Sequence, residues 1–130
     1  MRMALSEAES ALELGEVPVG AVITMEGRVL AKTHNSPILM NDPTAHAEML
    51  AIREAADRTE NYRLNGATLY VTIEPCPMCA GAIVHARIAR LVFGATDLKG
   101  GALSLYDMLR DRKLNHTVEI TGGEIGRAHV

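Results

Sequence analysis

Apolar positions Met3, Leu5, Ala8, Ala11, Leu12 and Leu14 recur at roughly helical spacing and stop at Gly15, which predicts a first helix ended by that glycine. The next stretch, VPVGAVITMEGRVLAKTH, changes period. Two β-rich runs, 19–25 and 28–33, flank Glu26-Gly27, so a hairpin is expected. Residues 34–43, HNSPILMNDP, carry the Asn and Pro of a loop. Helical spacing returns in DPTAHAEMLAIREAA, with Asp42 or Thr44 expected as N-cap, Pro43 in the first turn and an end near Asp57.

ATLYVTI (67–73) reads as a buried strand and CPMCAGAIVHARI (76–88) as a helix opened by Pro77. RLVFGA (90–95) is a further strand, and 96–104 a glycine-containing loop. LYDMLRD (105–111) follows as a short helix and HTVEI (116–120) as a last strand. The order α-β-β-α-β-α-β-α-β predicts an α/β architecture, one mixed sheet with helices on both faces. No repeat or linker breaks the 130 residues, so a single domain over 1–130 is expected.

Composition refines this picture in three ways. The chain is 48% hydrophobic yet has three Tyr, one Phe and no Trp, which implies a core of small aliphatic residues and some of its seven Met. No run of about 18 apolar residues occurs, and MRMALSEAES lacks the apolar segment of a signal peptide, so a soluble cytoplasmic protein without a membrane partner is expected. The net charge is −3 with scattered Lys and Arg, which gives no support for binding driven by phosphate contacts alone.

Cys76 and Cys79 stand where a strand gives way to a helix, a place that favours thiolates through the first-turn N–H groups. With no sign of secretion, metal or redox chemistry outranks a structural disulfide. The C-x-x-C spacing alone is also compatible with a dithiol redox pair or two packed cysteines. His46 alone would be an ordinary helical histidine, and Glu48 alone an ordinary first-turn acid. Together with Cys76 and Cys79, however, His46 supplies three protein ligands with a fourth position open, the pattern of a catalytic zinc. Two thiolates neutralise much of the metal's charge, so a nearby base is useful, and Glu48 is the candidate. His46 and Glu48 do not share a helical face, but a site just ahead of the first turn lies near the axis, within reach of both. H-x-E…P-C-x-x-C is the signature of zinc-dependent nucleobase deaminases.

EVPVGAVI (16–23), DPTAHAEMLAIR (42–53), NYRLNGATLYVTIEPCPMCAGAIVHARI (61–88), FGATD (93–97) and NHTVEITGG (115–123) together resemble the bacterial tRNA-specific adenosine deaminase family, within the zinc-dependent cytidine deaminase-like superfamily. The resemblance implies a three-layer α/β/α sandwich with one five-stranded mixed sheet, one Zn2+ per chain and a homodimer. It implies hydrolytic conversion of adenosine to inosine at the wobble position of a tRNA anticodon. His46, Cys76 and Cys79 match the family's metal ligands, and Glu48 its proton shuttle. Asn35 matches a residue that hydrogen-bonds the nucleotide, Ala47 meets the base through its backbone, and Asp97 and Lys99 border the nucleic-acid entrance. His85 and His116 read as structural or surface residues, and His34 as either structural or lining the pocket mouth. Against the family the chain looks short at both termini, and residues 124–130 match none of its patterns.

Three rival readings follow from the same residues. One is a compact deaminase acting on single-stranded DNA, at adenine or cytosine, or on a free base or nucleoside. Another is a C-x-x-C dithiol redox protein, in which His46 and Glu48 have no role. The last is a zinc-stabilised binding module without activity.

Overall fold

The structure, a computed structural model, describes residues 1–103, 109 and 116–123. Its elements are α1 (Arg2–Glu13), β1 (Gly20–Met25), β2 (Arg28–His34), α2 (Pro37–Met40), α3 (Ala47–Thr59), β3 (Thr68–Ile73), α4 (Pro77–His85), β4 (Arg90–Ala95) and β5 (Glu119–Thr121). The five strands form one sheet in the order β2-β1-β3-β4-β5. β1 runs antiparallel to β2 and β3, whereas β3, β4 and β5 are mutually parallel, so the sheet is mixed as the element order predicts.

Side chains alternate across each strand, and the alternation sorts the core. Ala21 and Ile23 of β1, Leu69 and Val71 of β3, and Leu91 and Phe93 of β4 share a cluster with Ala47, Ala51 and Ala55 of α3 and Ala80 and Ile83 of α4. On the other face α1 buries Ala4, Ala8 and Ala11. The small residues let α1 ride close to the sheet: a Cβ on Gly20 would lie 1.9 Å from the Ala4 carbonyl oxygen. Helices thus cover both faces, in the α/β/α layering that the sequence resemblance implies.

The hairpin follows its sequence signal. Glu26 and Gly27 both take positive φ, 52° and 77°, the type I′ requirement, and Met25 pairs with Arg28 across them. Elsewhere the structure departs from expectation. Residues 34–43 contain the one-turn α2, because the buried carboxylate of Glu16 accepts the N–H groups of Ile38 (3.2 Å) and Leu39 (2.8 Å). Neither Asp42 nor Thr44 caps α3. Asp42 closes a turn of its own instead, its Oδ1 accepting from the Thr44 N–H (2.8 Å) and hydroxyl (2.7 Å), which holds its carboxyl below the usual range. The N-cap is His46. The helix after Cys76 stops at His85, since Arg87 turns left-handed (φ 62°) and Ile88 bridges to Asn65. β5 covers 119–121 rather than 116–120, and the short helix expected at 105–111 falls almost wholly outside the described residues.

Candidate active site

Two helix starts carry the chemistry. His46 caps α3 in extended backbone (φ −73°, ψ 150°), and Cys76 caps α4 likewise (φ −75°, ψ 170°), with Pro77 fixing the first turn and Cys79 inside it. Neither cap residue has helical geometry, so each side chain projects ahead of its helix instead of along its flank. α3 packs against α4, which brings the two starts together.

His46 Nδ1 lies 3.6 Å from Cys76 Sγ and 3.5 Å from Cys79 Sγ, and the three ligand atoms fall within 4.8 Å of one another. Zinc bonds of about 2.3 Å to sulfur and about 2.0 Å to nitrogen place tetrahedral ligand atoms about 3.5–3.8 Å apart, so the donor set fits that metal. Both thiols are free, Cys76 partly accessible and Cys79 buried. They divide the burden of charge. The hydrogen bond donated by Cys79 pulls Cys76 down to about 5, whereas Cys79, giving that bond and buried, is pushed up. A site that already holds one thiolate beside an imidazole invites a cation.

Glu48 is only 3% exposed. Burial raises its carboxyl to about 7, and the nearby Cys76 thiolate adds to the rise, while its own backbone N–H and the His46 charge oppose it. A carboxyl that gains and loses a proton near neutrality suits proton transfer.

Between His46 and Glu48, both backbone groups of Ala47 are held from β2 and the residue after it. The Thr33 hydroxyl donates to the Ala47 carbonyl (2.6 Å), and the Ala47 N–H donates to Asn35 Oδ1 (2.8 Å). The structure therefore places Asn35 beside Ala47, as a pair the sequence selected separately. Truncating Asn35 to Ala strands that buried N–H, and urea unfolding should show a loss of about 1–3 kcal/mol; a loss under about 0.5 kcal/mol would deny the bond any weight.

Asp97 is not among the ligand atoms that converge on His46. Asp97 Oδ1 accepts the N–H groups of Lys99 (3.0 Å) and Gly100 (3.1 Å), shaping its own loop, and Lys99 is exposed. His85 is exposed, and His116 bonds the Ile88 carbonyl (2.7 Å), so both are surface or structural as expected. His34 Nδ1 contacts the Ser36 hydroxyl at 3.4 Å. Sequence reasoning missed Thr33 and two buried acids, Glu16 and Glu74. Glu74 directly precedes Pro75-Cys76, and that adjacency was its available signal.

Comparison with known proteins agrees with this geometry. Residues 1–128 match the MafB19-like deaminase family. The tRNA-specific adenosine deaminase of Haemophilus influenzae is 54% identical over 125 residues, covering 95% of this chain and 72% of that one. Its Bacillus subtilis counterpart is 48% identical over 124 residues, covering 95% and 77%. Among solved structures, a tRNA:A34 deaminase studied for A-to-I editing at the wobble position superimposes with a TM-score of 0.91 at 48% identity, covering 95% of this chain and 90% of that one. A guanine deaminase from Bacillus subtilis reaches 0.71 at 41% identity, covering 73% and 61%. By its sequence, its fold and its clustered His46, Cys76 and Cys79, this chain belongs to the tRNA-specific adenosine deaminase family of nucleobase deaminases.

Proposed function

We propose that the chain deaminates adenosine to inosine at the wobble position of a tRNA anticodon, using one zinc ion held by His46 Nδ1 and the Sγ atoms of Cys76 and Cys79. The observation that carries the reading is the convergence of those three atoms beside a buried Glu48. Zinc, when bound there, supplies positive charge that makes a water easier to deprotonate.

Glu48 accepts one proton from the attacking water and delivers it to the adenine ring nitrogen, then takes the second from the hydroxyl added at C6 and delivers it to the exocyclic amine as that leaves. Oxygen adds at C6, the C6–N bond breaks, and adenosine plus water become inosine plus ammonia. Thr33 and Asn35 hold the Ala47 backbone, and with it the spacing of His46 and Glu48, in place. With Asn35 Oδ1 committed to Ala47, its amide NH2 is the group left to donate to the nucleotide. The target base must leave its stack, which an anticodon loop permits more readily than a duplex. The exposed ammonium of Lys99 offers a phosphate contact beside Asp97 at the entrance, and family likeness extends the proposal to a homodimer acting in the cytoplasm.

The likeness to a guanine deaminase supports a second reading, hydrolysis of a free purine base. Ammonia release measured on an anticodon stem-loop, single-stranded DNA oligomers, free adenosine and free guanine separates the two. Turnover on the stem-loop well above that on any free base or nucleoside is expected, and activity confined to free bases would refute the tRNA assignment.

A further inference from the structure

β3 ends at Ile73 and Cys76 already caps α4, so Glu74 and Pro75 alone carry the chain from the sheet to the first sulfur. Both are buried. Their backbones are tied to the end of β4 and to the segment after it: the Glu74 N–H donates to the Ala95 carbonyl (2.8 Å), and the Pro75 carbonyl accepts from the Ala102 N–H (2.9 Å). The Glu74 side chain reaches the same segment. Its Oε1 accepts the Asp97 N–H (3.1 Å), and its Oε2 accepts the Leu103 N–H (2.9 Å). Gly101 makes room for the carboxylate, since a Cβ there would lie 2.0 Å from Oε2 and 2.5 Å from the Asp97 carbonyl oxygen.

We propose that Glu74 is a positioning residue whose carboxylate, seated against Gly101, locks the 97–103 loop onto the Cys76 turn. Metal affinity at the cysteine pair and order in the loop that carries Asp97 and Lys99 are then set by one side chain. The metal half of this rests on the reading of His46, Cys76 and Cys79 as ligands. The physical reason is that a buried carboxylate is tolerated only when its oxygens are satisfied, and here each oxygen accepts a main-chain N–H from a different end of the loop. Metal ligands depend on such outer partners for their aim.

Glutamine separates this role from simple space filling. Glu74→Gln keeps the volume but turns one acceptor into an NH2 that confronts an N–H. Glu74→Asp keeps both acceptors on a stem one methylene shorter, and should recover part of the loss. The test titrates metal-stripped wild type and both variants with cobalt(II), reading thiolate-to-cobalt absorption under chelator competition. Amide hydrogen exchange at Asp97 and Leu103 is followed in the same proteins without metal. Glu74→Gln should weaken cobalt binding about 10–100-fold and speed both exchanges about 10-fold or more, with Glu74→Asp between it and wild type. Exchange in Glu74→Gln equal to wild type overturns the lock whether or not metal binds. Faster exchange with unchanged cobalt affinity overturns its link to the cysteines. Failure of the wild type to take up cobalt contradicts the metal reading itself, while the exchange comparison still decides the lock.

Discussion

Replacing Glu48 with Ala is expected to reduce inosine formation about 10²–10⁴-fold, the range contributed by a positioned acid–base group, while metal content stays at wild-type level. Glu48 is not among the converging ligand atoms, so its removal should leave His46, Cys76 and Cys79 free to hold the ion. Its buried carboxyl, raised to about 7, is matched to moving a proton near neutral pH, and Ala offers no substitute. Glu48→Gln preserves the side-chain volume in a nearly sealed position and should be as inactive, which separates proton transfer from packing. Metal content and turnover on an anticodon stem-loop, measured on the same preparation, check this. Retained turnover would contradict the proton-shuttle role and favour a binding module.

The second large effect concerns the ligands. His46→Ala, Cys76→Ser and Cys79→Ser should each weaken metal binding by more than about 100-fold, since even outer partners of metal ligands are worth up to about that much. Serine matches the shape of cysteine but stays protonated where the thiol of Cys76 is drawn down to about 5. Activity should disappear with the metal, and the wild type's melting temperature should fall on chelation, because an ion bound only by the folded state stabilises it. His46→Ala is the most informative of the three. A dithiol redox protein would keep its reversible thiol couple in that variant and would hold no stoichiometric metal beforehand.

Legibility in the sequence followed the range of the interactions. The Glu26-Gly27 hairpin, the Gly15 helix end and the Pro77 helix start depend on residues within one turn of one another, and each appears where its local signal put it. α2 was hidden because its N-terminal N–H groups are satisfied by Glu16, more than twenty positions upstream. The start of α3 slipped for a related reason: Asp42 spends its carboxylate on Thr44, so the cap passes to His46. That shift matters chemically, because a cap residue projects ahead of the helix, toward the cysteines.

Within the site, the spacing of His46 to Glu48 and of Cys76 to Cys79 is local and was readable. What joins the two halves is not. The packing of α3 against α4 sets the 3.5 and 3.6 Å approaches, and the bond between Asn35 and Ala47 spans the α2 turn. Glu74 was overlooked because its partners, Asp97 and Leu103, come from the far side of β4, where no periodic pattern points back to it. The parallel pairing of β3, β4 and β5 is likewise a consequence of crossovers rather than of any strand's own residues.

The most direct test of zinc-dependent adenosine deamination strips the purified protein of metal, restores one equivalent of zinc per chain and follows inosine in an anticodon stem-loop by mass spectrometry. The account predicts no inosine from the stripped protein and recovery of turnover as the added zinc approaches one equivalent, with inosine only at the wobble adenosine. Full activity in the metal-free protein, or a zinc-restored protein that leaves every adenosine unchanged, would contradict it.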